Sequence, residues 1–121
     1  MLMLTLMACF FRIGDPWEPS MVISVTNDDA HTQVRINMEF SDNDDRYDAG
    51  GDVSRLYLRD VSGRSIAYTT FVDDVSRVLC FPNVEGLDIL AIEGVYETEN
   101  TKMVVSESQR IGRVDKVQCS K

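Results

Sequence analysis

Apolar and polar side chains alternate along most of this chain with a period of two. The clearest run is Val34, Ile36, Met38 and Phe40, interleaved with Gln33, Arg35, Asn37 and Glu39. Successive side chains of a strand point to opposite faces, so this run predicts one buried face and one wet face. Met21 to Thr26 is rich in β-branched residues and predicts its hairpin partner, with Asn27-Asp28-Asp29-Ala30 as the turn. Further strands are predicted over Val53–Asp60, Ser65–Val72, Val75–Phe81, Asp88–Thr98, Lys102–Glu107 and Ser108–Val117. In the first of these Leu56 and Leu58 face inward, and Arg55, Tyr57 and Arg59 face outward. Val61-Ser62-Gly63-Arg64, Asp73-Asp74, Pro82 to Gly86 and Glu99-Asn100 separate them as turns or connections. Gly112 marks a bulge or a close approach. Every apolar run is short, and none predicts an amphipathic helix. Seven to eight closely spaced strands predict an all-β domain. Its architecture is an antiparallel β-sandwich, immunoglobulin-like in the broad sense. A small closed barrel is the alternative. The Cys…Trp…Cys spacing of a true immunoglobulin domain is missing.

The chain has 121 residues, enough for one domain and not two. Its formal net charge is −8 and its pI about 4.5. Such a balance argues against nucleic acid as partner and against polybasic docking on anionic lipid. It favours a partner protein with a basic surface. The plainer explanation of the acidity is that it keeps the domain in solution.

The first eight residues, Met1 to Ala8, carry no charge. They are too few to span a bilayer, which takes about 20 apolar residues. Leu6-Met7-Ala8-Cys9 has the pattern of a bacterial lipobox: a branched apolar residue, a tolerant position, a small residue, then Cys. The cut needs a small side chain before it, and the thiol carries the lipid. Cys9 would then be the lipid attachment point and the mature N-terminus, held at a membrane surface. A buried first strand or helix over Met1 to Phe11 is the alternative. Gly14, Asp15, Pro16 and Pro19 read instead as a tether. The absence of basic residues before the apolar run implies a start further upstream or a shortened signal. Phe10 after Cys9, by analogy with enteric lipoproteins, directs the protein to the outer membrane. The expected organisation is residues 1–8 as signal, 9–19 as tether and 20–121 as one β-sandwich.

With Cys9 lipidated, Cys80 and Cys119 remain, and an exported pair predicts a disulfide. Two buried or free thiols are the alternative. Catalysis has little to stand on. His31 is the only histidine, no Gly-x-Ser-x-Gly elbow exists, and Asp44-Asp45 and Asp73-Asp74 lie in turns. No enzyme and no cofactor are expected. The loop from Ser41 to Asp52 holds Asp42, Asp44, Asp45, Asp48 and Asp52. Its oxygens suit Ca²⁺, but Arg46, Tyr47 and Val53 fall where an EF-hand needs a ligand, Gly and Glu. No metal is expected, and the loop reads as a solvated acidic loop. It is also one candidate protein-binding element, able to meet a basic cleft. The other is the row Arg55, Tyr57 and Arg59, because Arg and Tyr are enriched at interface hot spots. An ordinary wet strand face is the alternative for that row.

The lipobox is followed by Arg12-Ile13-Gly14-Asp15-Pro16, the hairpin, the acidic loop and Cys80-Phe81-Pro82. Together these resemble the small enterobacterial lipoproteins described as type VI secretion immunity proteins of the periplasm. The likeness spreads over most of the chain. Its sharp points are the lipobox, Ile-Gly-Asp-Pro and Cys-x-Pro. The chain departs from the family near Gln33 and Val34, where the family has a second cysteine. Cys119 then stands in as the partner of Cys80, or the pairing differs. The resemblance implies a periplasmic, membrane-anchored protein that binds and neutralises a toxic effector by occlusion. An accessory lipoprotein of an envelope or secretion complex, or a Ca²⁺- or glycan-binding module, are the other roles open to such a domain.

Overall fold

A computed structural model describes residues 19–40, 51–98 and 102–121. The strands are β1 (Pro19–Asn27), β2 (His31–Phe40), β3 (Leu56–Arg59), β4 (Ser65–Ile66), β5 (Thr69–Asp73), β6 (Ser76–Pro82), β7 (Ile89–Glu97), β8 (Lys102–Arg110) and β9 (Gly112–Arg113). They form a five-stranded sheet in the order β5-β6-β2-β1-β9 and a four-stranded sheet in the order β4-β3-β7-β8. All pairings are antiparallel except β1 with β9.

The alternating run sets the hairpin. In β1 and β2, Ile23 pairs with Ile36 and Val25 with Val34, and all four are buried. Asp28 closes the turn, its Oδ1 accepting the N–H of Ala30 and of His31, each at 2.8 Å. One hydrophobic cluster joins the two sheets. Ile23, Val34, Ile36, Leu79 and Phe81 come from one; Leu56, Leu58, Leu90, Ile92 and Tyr96 come from the other. Each such burial stabilises by about 1.5–3 kcal/mol. The shared core makes the molecule a β-sandwich.

Three expectations need correction. The stretch from Ser65 to Val72 is not one strand. Ser65–Ile66 pairs with β3, and Thr69–Asp73 pairs with β6 in the other sheet. Tyr68 anchors the crossing, its hydroxyl donating to Val53 O at 2.6 Å and Leu56 O at 3.1 Å. Burial pushes that phenol's pKa up. Ser108 to Val117 is not a closing strand either. Ser108 to Arg110 finishes β8, and Gly112–Arg113 then crosses to pair with Thr26 and Asn27. Ile111 N–H donates to Asp88 O and Val114 N–H to Asn27 O, which turns the chain out of its sheet. Nor is Gly112 a close approach: a Cβ there would meet Val25 O at an ordinary 3.8 Å. Close approaches are instead at Gly94, whose φ is 129° and where a Cβ would lie against Arg55 O, and at Gly51, where it would lie against the Tyr96 ring.

Candidate functional site

Leu56 and Leu58 are buried and Tyr57 is exposed, so the period-two pattern of β3 sends Tyr57 and Arg59 outward. Register gathers their neighbours. Tyr57 pairs with Glu93, which pairs with Ser106; Arg59 pairs with Ala91, which pairs with Ser108. Val95 pairs with Val104, and the Val95 N–H donates at 3.3 Å to the carbonyl of Arg55, the exposed turn residue just before β3. The result is an open surface on the outside of the four-stranded sheet. Tyr57 is 47% exposed and Val104 80%.

The centre of this face is braced. Arg59 Nε lies 3.4 Å from Glu93 Oε2, and its Nη1 donates to Gly63 O at 3.2 Å. The guanidinium carbon stands 5.4 Å from the Tyr57 ring centroid, within cation–π range. Exposed ion pairs contribute about 0–1 kcal/mol. The ion pair and the cation–π contact together favour one arrangement of Arg59 and Tyr57. At the edge of the face Asp60 caps the β3–β4 turn. Its carboxyl is held below the usual range by the Ser62 hydroxyl and then the Arg64 N–H.

Asp52 lies where the acidic loop rejoins the sheet. It bridges to Glu97 near the end of β7, with its N–H donating to Glu97 O at 2.6 Å. Its carboxyl accepts the Ser54 N–H at 2.8 Å, the main reason its pKa is lowered. The other four candidates of that loop, Asp42, Asp44, Asp45 and Asp48, lie outside the described residues, as does Cys9.

Cys80 and Cys119 are joined, with their Cα atoms 5.6 Å apart. Cys80 is on the outer side of β6, opposite Gln33 of β2. Residues 114–121 therefore run as a strap over the outside of the five-stranded sheet. Gln33 Nε2 donates to Gln118 O at 2.7 Å, and the Val117 N–H donates to Asp28 Oδ2 at 3.0 Å. Arg113 reaches back to pair with Asp29. That Val117 bond, followed by those from His31 and Ala30, lowers the pKa of Asp28 to about 2. Beside the disulfide is a shallow hollow of about 350 Å³, lined by His31, Tyr68, Thr69, Phe81 and Pro82 among others. The Tyr68 hydroxyl is committed to backbone carbonyls, so it offers no proton donor there.

Among the described residues no group of three or more His, Cys, Asp and Glu side chains is placed to hold a metal ion. Glu93, Val95, Val104 and Asp28 were not singled out by the sequence. Only the consecutive apolar Met103-Val104-Val105 hinted that one of the three must face water. Compared with protein families, with curated proteins and with solved structures, the chain matches none.

Proposed function

We propose that the protein is an exported binding protein that neutralises a toxic effector by covering it, the role implied by its resemblance to periplasmic immunity lipoproteins. The outward pair Tyr57 and Arg59, braced by Glu93 on the neighbouring strand, is the observation that carries this reading. Rigid aromatic and guanidinium side chains on a flat sheet supply contact area at low entropy cost. Occlusion needs no reaction, so the protein is not an enzyme. Cys9 tethers it at the periplasmic side of the outer membrane. The Cys80–Cys119 disulfide suits that oxidising compartment.

The strand order also supports an immunoglobulin-like reading of the sandwich. β1-β2-β6-β5 opposite β4-β3-β7-β8 follows the order A-B-E-D opposite C′-C-F-G, with β9 as an addition. In that arrangement the loop before β3 and the loop after β7 share one end. The Asp52–Glu97 bridge is consistent with it. The acidic loop would there meet a basic surface of the effector.

Protection from toxicity tests the proposal. The chain is exported together with the periplasmic products of neighbouring genes. Growth is expected to be rescued from one of them by the wild type, and not by a Tyr57→Ala variant present at the same level. No rescue from any neighbour by the folded, exported protein contradicts the proposal.

A further inference from the structure

Resting on the reading of the chain as a binding protein, we infer that its partner docks by adding an extended strand to the free edge of β8, with a cation opposite Glu107. β8 ends the four-stranded sheet, where β7 is its neighbour on one side. Alternate residues of an antiparallel strand send their backbone N–H and C=O to the same side. In β7 the Val95 N–H bonds to Arg55 O, and Glu97 O accepts the Asp52 N–H. The odd-numbered residues of β7 therefore face β3, and the even-numbered ones face β8. Register then assigns Met103, Val105, Glu107 and Gln109 to the β7 ladder, which the bond from Ile111 N–H to Asp88 O continues. The N–H and C=O groups of Val104, Ser106 and Ser108 point away from the sheet. All three residues are exposed, and among the described residues no strand pairs with that edge. A row of donors and acceptors at strand spacing fits another extended backbone.

Glu107 defines the rest of the occupant. An inward-pointing charge on an edge strand deters indiscriminate pairing. Glu107 is one: it shares the core side of β8 with buried Val105, yet is itself exposed. Its neighbour on β7 is the buried Ile92, and its carboxylate accepts from Gln109 Nε2 at 2.8 Å. Neither neighbour is a cation. Cross-strand partners share a face, so a Lys or Arg at the facing position of an added strand would neutralise Glu107. A second copy of the chain added antiparallel cannot do so. Its core-side residues would meet core-side residues, and the cations of β8, Lys102 and Arg110, alternate with Val104 on the outer side. The occupant is thus a foreign strand, apolar opposite Met103 and Val105 and basic opposite Glu107.

Hydrogen exchange of the isotope-labelled full chain tests this with the peptide Thr-Gln-Thr-Lys-Thr-Val-Thr-Val-Thr. Its lysine faces Glu107 when it adds antiparallel along Lys102–Arg110. At saturating peptide the amides of Val104, Ser106 and Ser108 are expected to exchange at least about tenfold more slowly. Those of Val105 and Glu107, already bonded to β7, should stay as they were. The same peptide with Glu in place of Lys should protect less, and Glu107→Lys should reverse that preference. Ser106→Pro removes one outward N–H and nothing from the β7 ladder, and should abolish the protection. If that variant does not fold, a peptide N-methylated at its central residue, the one facing Ser106, makes the same deletion from the other side. No protection, protection indifferent to the lysine, or full protection of folded Ser106→Pro would overturn the inference. So would protection that rises with the concentration of the chain alone, which would make a second copy the occupant. Edge protection absent with growth rescue intact overturns this inference and leaves the inhibitor reading standing. Rescue absent with edge protection present does the reverse.

Discussion

A methyl group at position 94 has nowhere to go. Gly94 has a φ of 129°, and an added Cβ would lie against Arg55 O. Gly94→Ala is expected to cost more than about 2 kcal/mol, through strain and a displaced β3. Urea unfolding measures it, and an unchanged midpoint contradicts the geometry. Asp28 makes a second prediction at this scale. Its pKa is lowered from 3.8 to about 2, so the stability it contributes is complete above 3.8 and disappears as pH falls through about 2. Melting temperatures of wild type and Asp28→Asn should differ above pH 3.8 and converge towards pH 2. A constant gap across that window would mean the carboxylate charge is not what holds Val117. Legibility differs among these residues for a physical reason. The outward direction of Tyr57 and Arg59 was readable, because alternation needs only one buried face. The convergence of Glu93 and Val104 on them was not, because alternation says nothing of register between strands distant in sequence. Gly94 and Gly112 look alike in the sequence, and a φ of 129° together with the approach of Arg55 O sets Gly94 apart.

Among the elements, the C-terminal strap is where sequence and structure part most. Val114 and Val117 look like strand residues, and the alternation through Ser108 to Val117 predicts a continuous strand. In the fold their N–H groups go to Asn27 O and the Asp28 carboxylate, and Cys119 ends the strap on β6. The Cys80–Cys119 bond itself was legible, since the lipobox pattern at Cys9, read as a lipid attachment point, leaves one pair. It closes a separation of 39 residues and should contribute roughly 4 kcal/mol by restricting the unfolded chain. Cys119→Ser should lose stability of that order, and trypsin should then cut at Lys116, which the docked strap protects. A Cys119→Ser protein as stable and as resistant as the wild type would show that the hydrogen bonds of the strap suffice alone. The split of Ser65–Val72 has the same origin as the strap: local pattern is continuous across the crossing, and the sheet change depends on where the Tyr68 hydroxyl finds Val53 O and Leu56 O.

For the whole molecule, the all-β class and the two-layer architecture follow from many short alternating strands, each needing a partner for its apolar face. The sequence had no means of showing which sheet each strand joins. Its net charge of −8 says nothing of where the charges lie, and the strand pairings bring Arg59 and Arg110 onto one outer face together with Glu93 and Glu97. The measurement that tests this account most directly is a calorimetric titration of the full chain with the toxic periplasmic product of a neighbouring gene. The wild type should bind one to one with a Kd of about nanomolar, and Tyr57→Ala should weaken it at least about a hundredfold. Equal affinity of wild type and Tyr57→Ala would take the sheet face out of the interface, and no binding by the folded protein would contradict the inhibitor reading itself.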